Sequence, residues 1–221
     1  MSTVKVFTFN PFQENTYVVA DPSGQCVIID PGCFDPSEKR ELADYISSNN
    51  LKPVKLLNTH AHIDHVLGNR FVAEKWGLGL ELHREDLVTL HSLPNYAHIF
   101  GVGTIEESPE PANFLKEGDK IQFGSTVFDV VFVPGHCPGH VAFINRAEEY
   151  VISGDVLFSG SIGRTDLPGG SMKVLMESIQ KKILPLGDNY KVYSGHGPLT
   201  TIGREKRENY FLQPGIAESL S

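Results

Sequence analysis

The sequence has few cysteines and no long apolar run, and each shortage excludes a class of protein. Its three cysteines, Cys26, Cys33 and Cys137, are an odd number without C-x-x-C spacing. This argues against a disulfide framework and indicates a reducing compartment. No apolar run reaches membrane-spanning length, and the N-terminal residues lack the basic and apolar regions of a signal peptide. We therefore expect a soluble, cytoplasmic protein that does not enter a membrane.

Positive charge is also scarce. The chain has 19 Lys and Arg against 27 Asp and Glu, a formal net charge of −8. A chain of this charge has no sequence-independent grip on phosphates, so we expect no nucleic-acid partner. The best basic run, Arg204 to Arg207, is interrupted by Glu205 and is typical of a solvated helix face. The oligomeric state is left open by the sequence.

The pattern of apolar residues predicts one domain over residues 1–221, of mixed α/β class. Both halves show several strands followed by a helix, which permits two sheets facing each other with helices outside. From His91 to about Pro111 the chain has prolines, glycines and aromatics without periodicity. A loop of that length is usually functional, and we suspect a lid that carries Tyr96 and Phe100. His83, His91 and His98 are expected to be surface or lid residues.

Histidine, by contrast, is concentrated in one place. The stretch NTHAHIDHVLG, residues 58–68, holds three histidines and one aspartate within six positions. In an extended segment residues two apart point the same way, so His60 and His62 can bind one ion together. A helix that follows would direct Asp64 and His65 toward a second position. A lone histidine at a strand end is more often a surface residue, but the pattern HxHxDH indicates a metal site.

Three further polar residues follow predicted strands: His136 in PGHCPGH, Asp155 in SGDVLF and His196 in YSGHGP. Strand ends could gather all of these candidates at one edge of the sheets. His136 would complete three nitrogens on the first ion and His196 would be a third ligand of the second, while the Asp155 carboxylate can bridge both. His140 is expected to support the site by hydrogen bonding and not to bind metal.

Imidazole and carboxylate ligands without thiolate suit zinc, with iron and manganese as alternatives. Two such ions roughly 3.5 to 4 Å apart that share a water form a hydrolytic centre. The sequence therefore predicts two divalent metal ions, with zinc the first candidate, held by His60, His62, Asp64, His65, His136, Asp155 and His196.

These motifs resemble those of the metallo-β-lactamase fold superfamily. The pattern THxHxDH, PGHxPGH, GD and GHG is matched by Thr59 to His65, Pro134 to His140, Gly154 with Asp155, and Gly195 to Gly197. The resemblance implies a four-layer αββα sandwich with the metals at one edge of the facing sheets. A true β-lactamase is disfavoured, because His65 stands where those enzymes often lack histidine and Asp155 stands where many have cysteine.

A closer resemblance is to the small hydroxyacylglutathione hydrolases of the glyoxalase II group, on the stretches GDVLFSGSIGRTDLPGG and GHGPLTTIGREKR. Larger members carry a C-terminal helical domain, for which the 25 residues after His196 leave no room. They also place a lysine and a tyrosine where this chain has Arg164 and Asp166. Arginine can hold a substrate carboxylate, which makes Arg164 the candidate substrate-binding residue, whereas Asp166 would repel an anionic tail.

The resemblance implies hydrolysis of a small-molecule thioester, such as S-lactoylglutathione, by a metal-bound hydroxide that Asp64 orients. A thiolate leaves with a conjugate-acid pKa of about 8.5, so no strong general acid is needed. Three alternatives stay open. The first is a persulfide dioxygenase with one iron at His60, His136 and Asp155. The second is a lactonase or another hydrolase of the same fold, and the third is a metal-binding module without turnover.

Overall fold

The structure of the protein, a computed structural model, describes residues 1–99, 101–102 and 105–216. The chain divides into two compact units. The first unit comprises Met1–Leu115 and Gln122–Val127, and the second comprises Lys116–Ile121 and Phe128–Ser221. A single domain over residues 1–221 stays a prediction.

Six strands form the sheet of the first unit: β1 (Thr3–Phe9), β2 (Glu14–Ala20), β3 (Gln25–Ile29), β4 (Lys52–Leu57), β5 (Leu80–His83) and β6 (Pro111–Leu115). They lie in sequence order across the sheet. β1, β2 and β3 pair antiparallel through short turns and form a meander. β3 to β6 pair parallel, which needs longer connections that contain helices. β6 was not predicted from the sequence.

Among its described residues, the first unit has the helices α1 (Pro36–Ser48), α2 (Ile63–Val66), α3 (Asn69–Trp76) and α4 (Leu87–Tyr96). A capping box opens α1, because the Asp35 side chain accepts the backbone N–H of Glu38 and the Glu38 side chain accepts that of Asp35. α2 begins inside the histidine cluster. The predicted change from extended chain to helix at Asp64 is thus confirmed.

The segment from His91 to Pro111 differs from the loop that the sequence predicts. Its first residues belong to α4, which begins four residues earlier, at Leu87. The α4 side chains of Leu90 and Leu93 are buried in the core of the first unit, together with Ala97. The expectation of an aperiodic loop is therefore wrong for this part of the chain.

A proline in α4 explains why the sequence does not predict this helix. Pro94 lies inside α4, two residues before its last residue, although proline usually ends a helix. The apolar residues that recur before it still form a buried face, so packing outweighs the local preference. Tyr96, one of the two aromatics of the suspected lid, is exposed. Phe100, the other, lies outside the described residues.

The second sheet has the order β14-β13-β10-β9-β8-β7. Its strands are β7 (Lys120–Phe123), β8 (Thr126–Phe132), β9 (Val141–Asn145), β10 (Tyr150–Gly154), β13 (Lys191–Ser194) and β14 (Thr200–Thr201). Residues 122–127, at the tip of the β7–β8 hairpin, group with the first unit. A small separate hairpin is formed by β11 (Leu157–Phe158) and β12 (Ser161–Ile162).

Among its described residues, the second unit includes the helices α5 (Met172–Ser178) and α6 (Ile202–Glu208). Ser171 caps α5, because its side chain accepts the backbone N–H of Val174. A π-helix, Ile179–Ile183, continues directly from the end of α5. The apolar face of α5 is buried, with Leu175 and Met176 in the core of the second unit.

The candidate ligands predicted from the sequence lie just after the ends of strands. β4 ends at Leu57 just before the histidine cluster, and β8 ends at Phe132 shortly before His136. β10 and β13 are parallel neighbours in which Gly154 lies opposite Ser194. Residues that follow these two strands therefore emerge side by side at one edge of the second sheet.

The predicted fold class is confirmed, since the chain is of mixed α/β type with two sheets accompanied by helices. All three cysteines are buried thiols in no disulfide bond. Within the described residues, none of the helices is both long and apolar enough to cross a bilayer.

Candidate metal centre

The first unit brings together four predicted ligands, His60, His62, Asp64 and His65, here called the first ligand group. The ring centroid of His60 lies 4.8 Å from that of His62 and 4.1 Å from that of His65. Oδ2 of Asp64 lies 3.6 Å from Nε2 of His65. The side chain of Asn10 donates to the backbone carbonyl of Asp64 at 2.9 Å, which holds the start of α2 in place.

Asp30 orients two of these imidazoles and was missed by the sequence analysis. Its Oδ2 lies 3.1 Å from Nδ1 of His65. The hydroxyl of Thr59 donates to the same oxygen at 2.6 Å and lies 3.0 Å from Nδ1 of His60. Both Nδ1 atoms thus have acceptors beside them, which favours the tautomer with Nε2 as the metal-binding nitrogen. The one available signal was an aspartate directly after strand β3.

Glu14 is a second buried carboxyl behind His65. Its Oε1 lies 3.8 Å from Nδ1 of His65, and its Oε2 accepts the hydroxyl of Thr16 at 2.9 Å. Burial raises the pKa of Glu14 well above its ordinary value, and the charge of Asp30 adds to the shift while His65 opposes it. Glutamate in a strand carries no functional signal by itself, so the sequence does not point to this residue.

The second unit brings together His136, Asp155 and His196, here called the second ligand group. Oδ2 of Asp155 lies 3.5 Å from Nε2 of His136 and also 3.5 Å from Nε2 of His196. The carboxylate therefore stands between two imidazoles, as a bridging ligand would. His136 is buried, whereas the side chain of His196 is 28 % exposed.

Backbone groups and one further imidazole hold the second ligand group. Nδ1 of His136 lies 2.7 Å from the carbonyl of Arg164, which favours Nε2 as its metal-binding nitrogen. The backbone N–H of Asp155 donates to Nε2 of His140 at 3.0 Å. A Cβ at Gly163 would lie 2.0 Å from the carbonyl oxygen of Asp155 and 3.1 Å from Nδ1 of His136, so only glycine fits there. His140 has the hydrogen-bonding position that the sequence analysis expected.

The guanidinium of Arg164 points to an acidic neighbour. It donates to both carboxylate oxygens of Asp166, at 2.7 and 2.6 Å, and both side chains are exposed. These bonds are the main reason why the pKa of Asp166 falls to about 2. The support that Arg164 gives to His136 thus comes from its backbone carbonyl. A role of its side chain in substrate binding stays a prediction.

The other histidines have different surroundings. His83 accepts the backbone N–H of Glu85 at 3.3 Å, and His91 lies 3.0 Å from a carboxylate oxygen of Glu110. His98 is exposed.

The donor chemistry fits divalent metal ions. In the first unit, ligand atoms of Asp30, His60 and His65 all lie within 4.8 Å of one another. Imidazole nitrogen and carboxylate oxygen are the donors of the second ligand group as well. Such donors suit zinc, iron and manganese.

Each of the two units thus carries imidazole and carboxylate side chains of the kind that bind divalent metal ions. A sequence profile described as the Metallo-beta-lactamase superfamily matches residues 9–196. The chain belongs to this superfamily, whose members use divalent metal ions, and it is a metallo-hydrolase. This agrees with the resemblance seen in the motifs.

Three relatives are similar along nearly the whole chain. Hydroxyacylglutathione hydrolase GloC of Haemophilus influenzae is 37 % identical over 214 residues, 95 % of this chain and 97 % of the relative. The crystal structure of TTHA1623 in a di-iron-bound form is 41 % identical, with a TM-score of 0.84 over 94 % of this chain and 100 % of the other. The crystal structure of BLEG-1 B3 metallo-beta-lactamase is 36 % identical, with a TM-score of 0.88 over 96 % and 100 %.

Proposed function

We propose that this metallo-hydrolase is a binuclear thioesterase that cleaves a hydroxyacyl thioester such as S-lactoylglutathione. One observation carries the substrate class, namely the 37 % identity to a hydroxyacylglutathione hydrolase over 95 % of the chain. The ligand chemistry supports the reaction type. The buried thiols are consistent with work in a reducing compartment, and we propose the cytoplasm.

Two divalent ions would be held by His60, His62, Asp64, His65, His136, Asp155 and His196. Zinc is the metal that we propose, because neutral imidazoles and carboxylates suit it. Iron is the alternative, since a relative at 41 % identity was crystallised with two irons. The carboxylate of Asp155 would be shared by the two ions, as its equal distances to His136 and His196 support.

Bound ions would supply a Lewis acid for the thioester carbonyl and lower the pKa of water toward neutrality. Asp64 would orient the attacking water, because its carboxylate lies at the edge of the first ligand group and is partly exposed. The leaving thiolate is stable near neutral pH, so the chain needs no buried general acid to protonate it.

β-Lactam hydrolysis is the second candidate, because a structure at 36 % identity is described as a B3 metallo-beta-lactamase. An amide nitrogen leaves less readily than a thiolate and benefits from a proton donor. The thioester therefore remains the favoured substrate.

The test is a substrate panel with protein of measured metal content. S-Lactoylglutathione, a lactone, a β-lactam and a persulfide would be compared, with oxygen consumption recorded for the last. We expect turnover of the thioester well above that of the others. His136→Ala should abolish it, and His91→Ala serves as the matched control because His91 pairs with Glu110 on the surface.

Preference for the β-lactam would replace the thioesterase assignment. Oxygen consumption with the persulfide by protein that carries a single iron would establish the dioxygenase alternative instead.

A further inference from the structure

Another aspartate, Asp86, contacts the backbone between two histidines of the first ligand group. Asp86 is fully buried and ends a short 3-10 turn, Arg84–Asp86, directly before α4. Its Oδ2 accepts the backbone N–H of Ala61 at 2.5 Å. Its Oδ1 accepts the hydroxyl of Thr89 at 3.2 Å.

Ala61 is the residue between His60 and His62, and it lies in irregular chain between β4 and α2. Backbone N–H groups in such a buried segment need acceptors from elsewhere. The N–H of Thr59 is accepted by Asp30 at 2.7 Å, and that of Ala61 is accepted by Asp86. Two buried carboxylates thus hold alternate peptide groups of the segment that carries the two histidines.

Asp86 occupies the N-cap position of α4 but does not cap that helix with its side chain. Aspartate at this position ordinarily accepts an N–H group of the first helical turn. Here the backbone of Asp86 is helical, and its carboxylate accepts the N–H of Ala61 and the hydroxyl of Thr89.

We propose that Asp86 is a positioning residue for the metal centre, one that fixes the peptide between His60 and His62 and so sets the affinity for the ion that they share. This inference rests on the proposed metal centre. Residues two apart present their side chains to one ion only while the backbone between them stays extended. A charge-assisted bond to the middle peptide holds that conformation.

Asp86→Ala and Asp86→Asn, with wild type, would be compared by elemental analysis and by chelator competition for zinc. Asp86→Ala should weaken one of the two binding steps by about 10 to 100-fold, the usual effect of losing a group that orients metal ligands. The other step should change by less than about 3-fold. Asp86→Asn should regain most of the affinity, because its amide oxygen can still accept the N–H of Ala61.

Asp21→Ala is the matched control. Asp21 is also a buried carboxylate of the first unit that accepts backbone N–H groups, those of Ser125 and Thr126. It should leave both binding steps unchanged. Equal weakening by Asp21→Ala and Asp86→Ala would mean general destabilisation and would overturn the inference.

Should Asp86→Ala fail to fold, Asp86→Asn and Asp86→Ser decide the question, because serine is too short to reach Ala61. Equal zinc affinity of these two variants would contradict a positioning role. Wild-type protein that binds no ion would refute the proposed function together with this inference. Wild type with two ions and an unchanged Asp86→Ala would refute the inference alone.

Discussion

The first ligand group occupies a run of six residues, His60 to His65, whereas the second takes one residue from each of three separate chain segments. Side-chain carboxylates from distant positions hold the first, through Asp30 and Asp86. The second is held by the carbonyl of Arg164 and the imidazole of His140. The part of the first group that precedes α2 lies outside regular structure and needs added acceptors, while the residues of the second group follow the ends of strands in the sheet.

The largest effect is expected when the carboxylate between the two imidazoles of the second ligand group is removed. Asp155→Ala should lose both ions and all measurable thioesterase activity, because one oxygen lies 3.5 Å from Nε2 of both His136 and His196. His62→Ala, in the first group, should lose one ion only. Elemental analysis after gel filtration gives the stoichiometry.

The exposed Asp166 provides the control, since Asp166→Ala should keep both ions. One ion retained in Asp155→Ala would show that Asp155 is not shared.

The next largest effects should come from the residues that orient the ligands. Asp30→Ala and His140→Ala should each weaken zinc binding by about 10 to 100-fold. Asp30→Ala should be the more severe, because Asp30 contacts His65 directly and His60 through Thr59, whereas the hydrogen bond of His140 goes to the backbone N–H of Asp155. Chelator competition measures both variants.

His136→Ala belongs in the same series as a reference for the loss of a direct ligand. A His140→Ala protein that binds zinc as weakly as His136→Ala would make His140 a ligand in its own right.

The difference between the two groups also explains how far the sequence could predict the site. The HxHxDH residues and the strand-end residues were identified from spacing, because ligand positions follow local periodicity. Asp30, Glu14 and Asp86 were not, since they reach the ligands through pairings between segments far apart in sequence. Spacing along one chain carries no information on such contacts.

The fold was predictable for the same local reasons, except where packing outweighed them. The strands and the caps of α1 and α5 follow turn and capping signals. α4 was missed because Pro94 interrupts a helix that its buried leucines stabilise. β6 was missed because Pro111–Leu115 has little strand character and pairs only as an edge strand of its sheet.

A smaller effect should distinguish the role of the Arg164 backbone from that of its side chain. Arg164→Ala keeps the carbonyl that contacts His136, so metal content should not change. A charged hydrogen bond to a substrate carboxylate contributes about 1.5 to 3 kcal/mol, and breaking the exposed pair with Asp166 offsets part of it. Catalytic efficiency on S-lactoylglutathione should thus fall by up to about 150-fold.

A thioester without carboxylates is the control substrate and should be turned over at an unchanged rate. Asp166→Ala should raise efficiency on the glutathione thioester slightly by freeing the guanidinium. If Arg164→Ala slows both substrates equally, the arginine supports its loop and does not bind the substrate.

The smallest predicted effect concerns the stability that two aspartates, one in each unit, lose as the pH falls. Hydrogen bonds hold the pKa of Asp21 below its ordinary value, chiefly from the backbone N–H of Ser23, with further donors in Ser125 and Thr126. In the second unit, the ammonium of Lys120 and then the guanidinium of Arg146 lower the pKa of Asp129. A depressed pKa gives stability that is present above the unfolded-state value of about 4 and is lost as pH falls below it.

Urea midpoints between pH 7 and pH 2 would therefore fall less steeply in Asp21→Asn and in Asp129→Asn than in wild type. Salt should distinguish the two, because the Debye length is only about 3 Å at about 1 M salt and the partners of Asp129 are exposed. We expect high salt to erase the difference between Asp129→Asn and wild type, and to leave that of Asp21→Asn intact, since buried hydrogen bonds to neutral donors are screened far less. If high salt also removed the difference between Asp21→Asn and wild type, the stabilisation by Asp21 would come from interactions with charged groups and not from its hydrogen bonds.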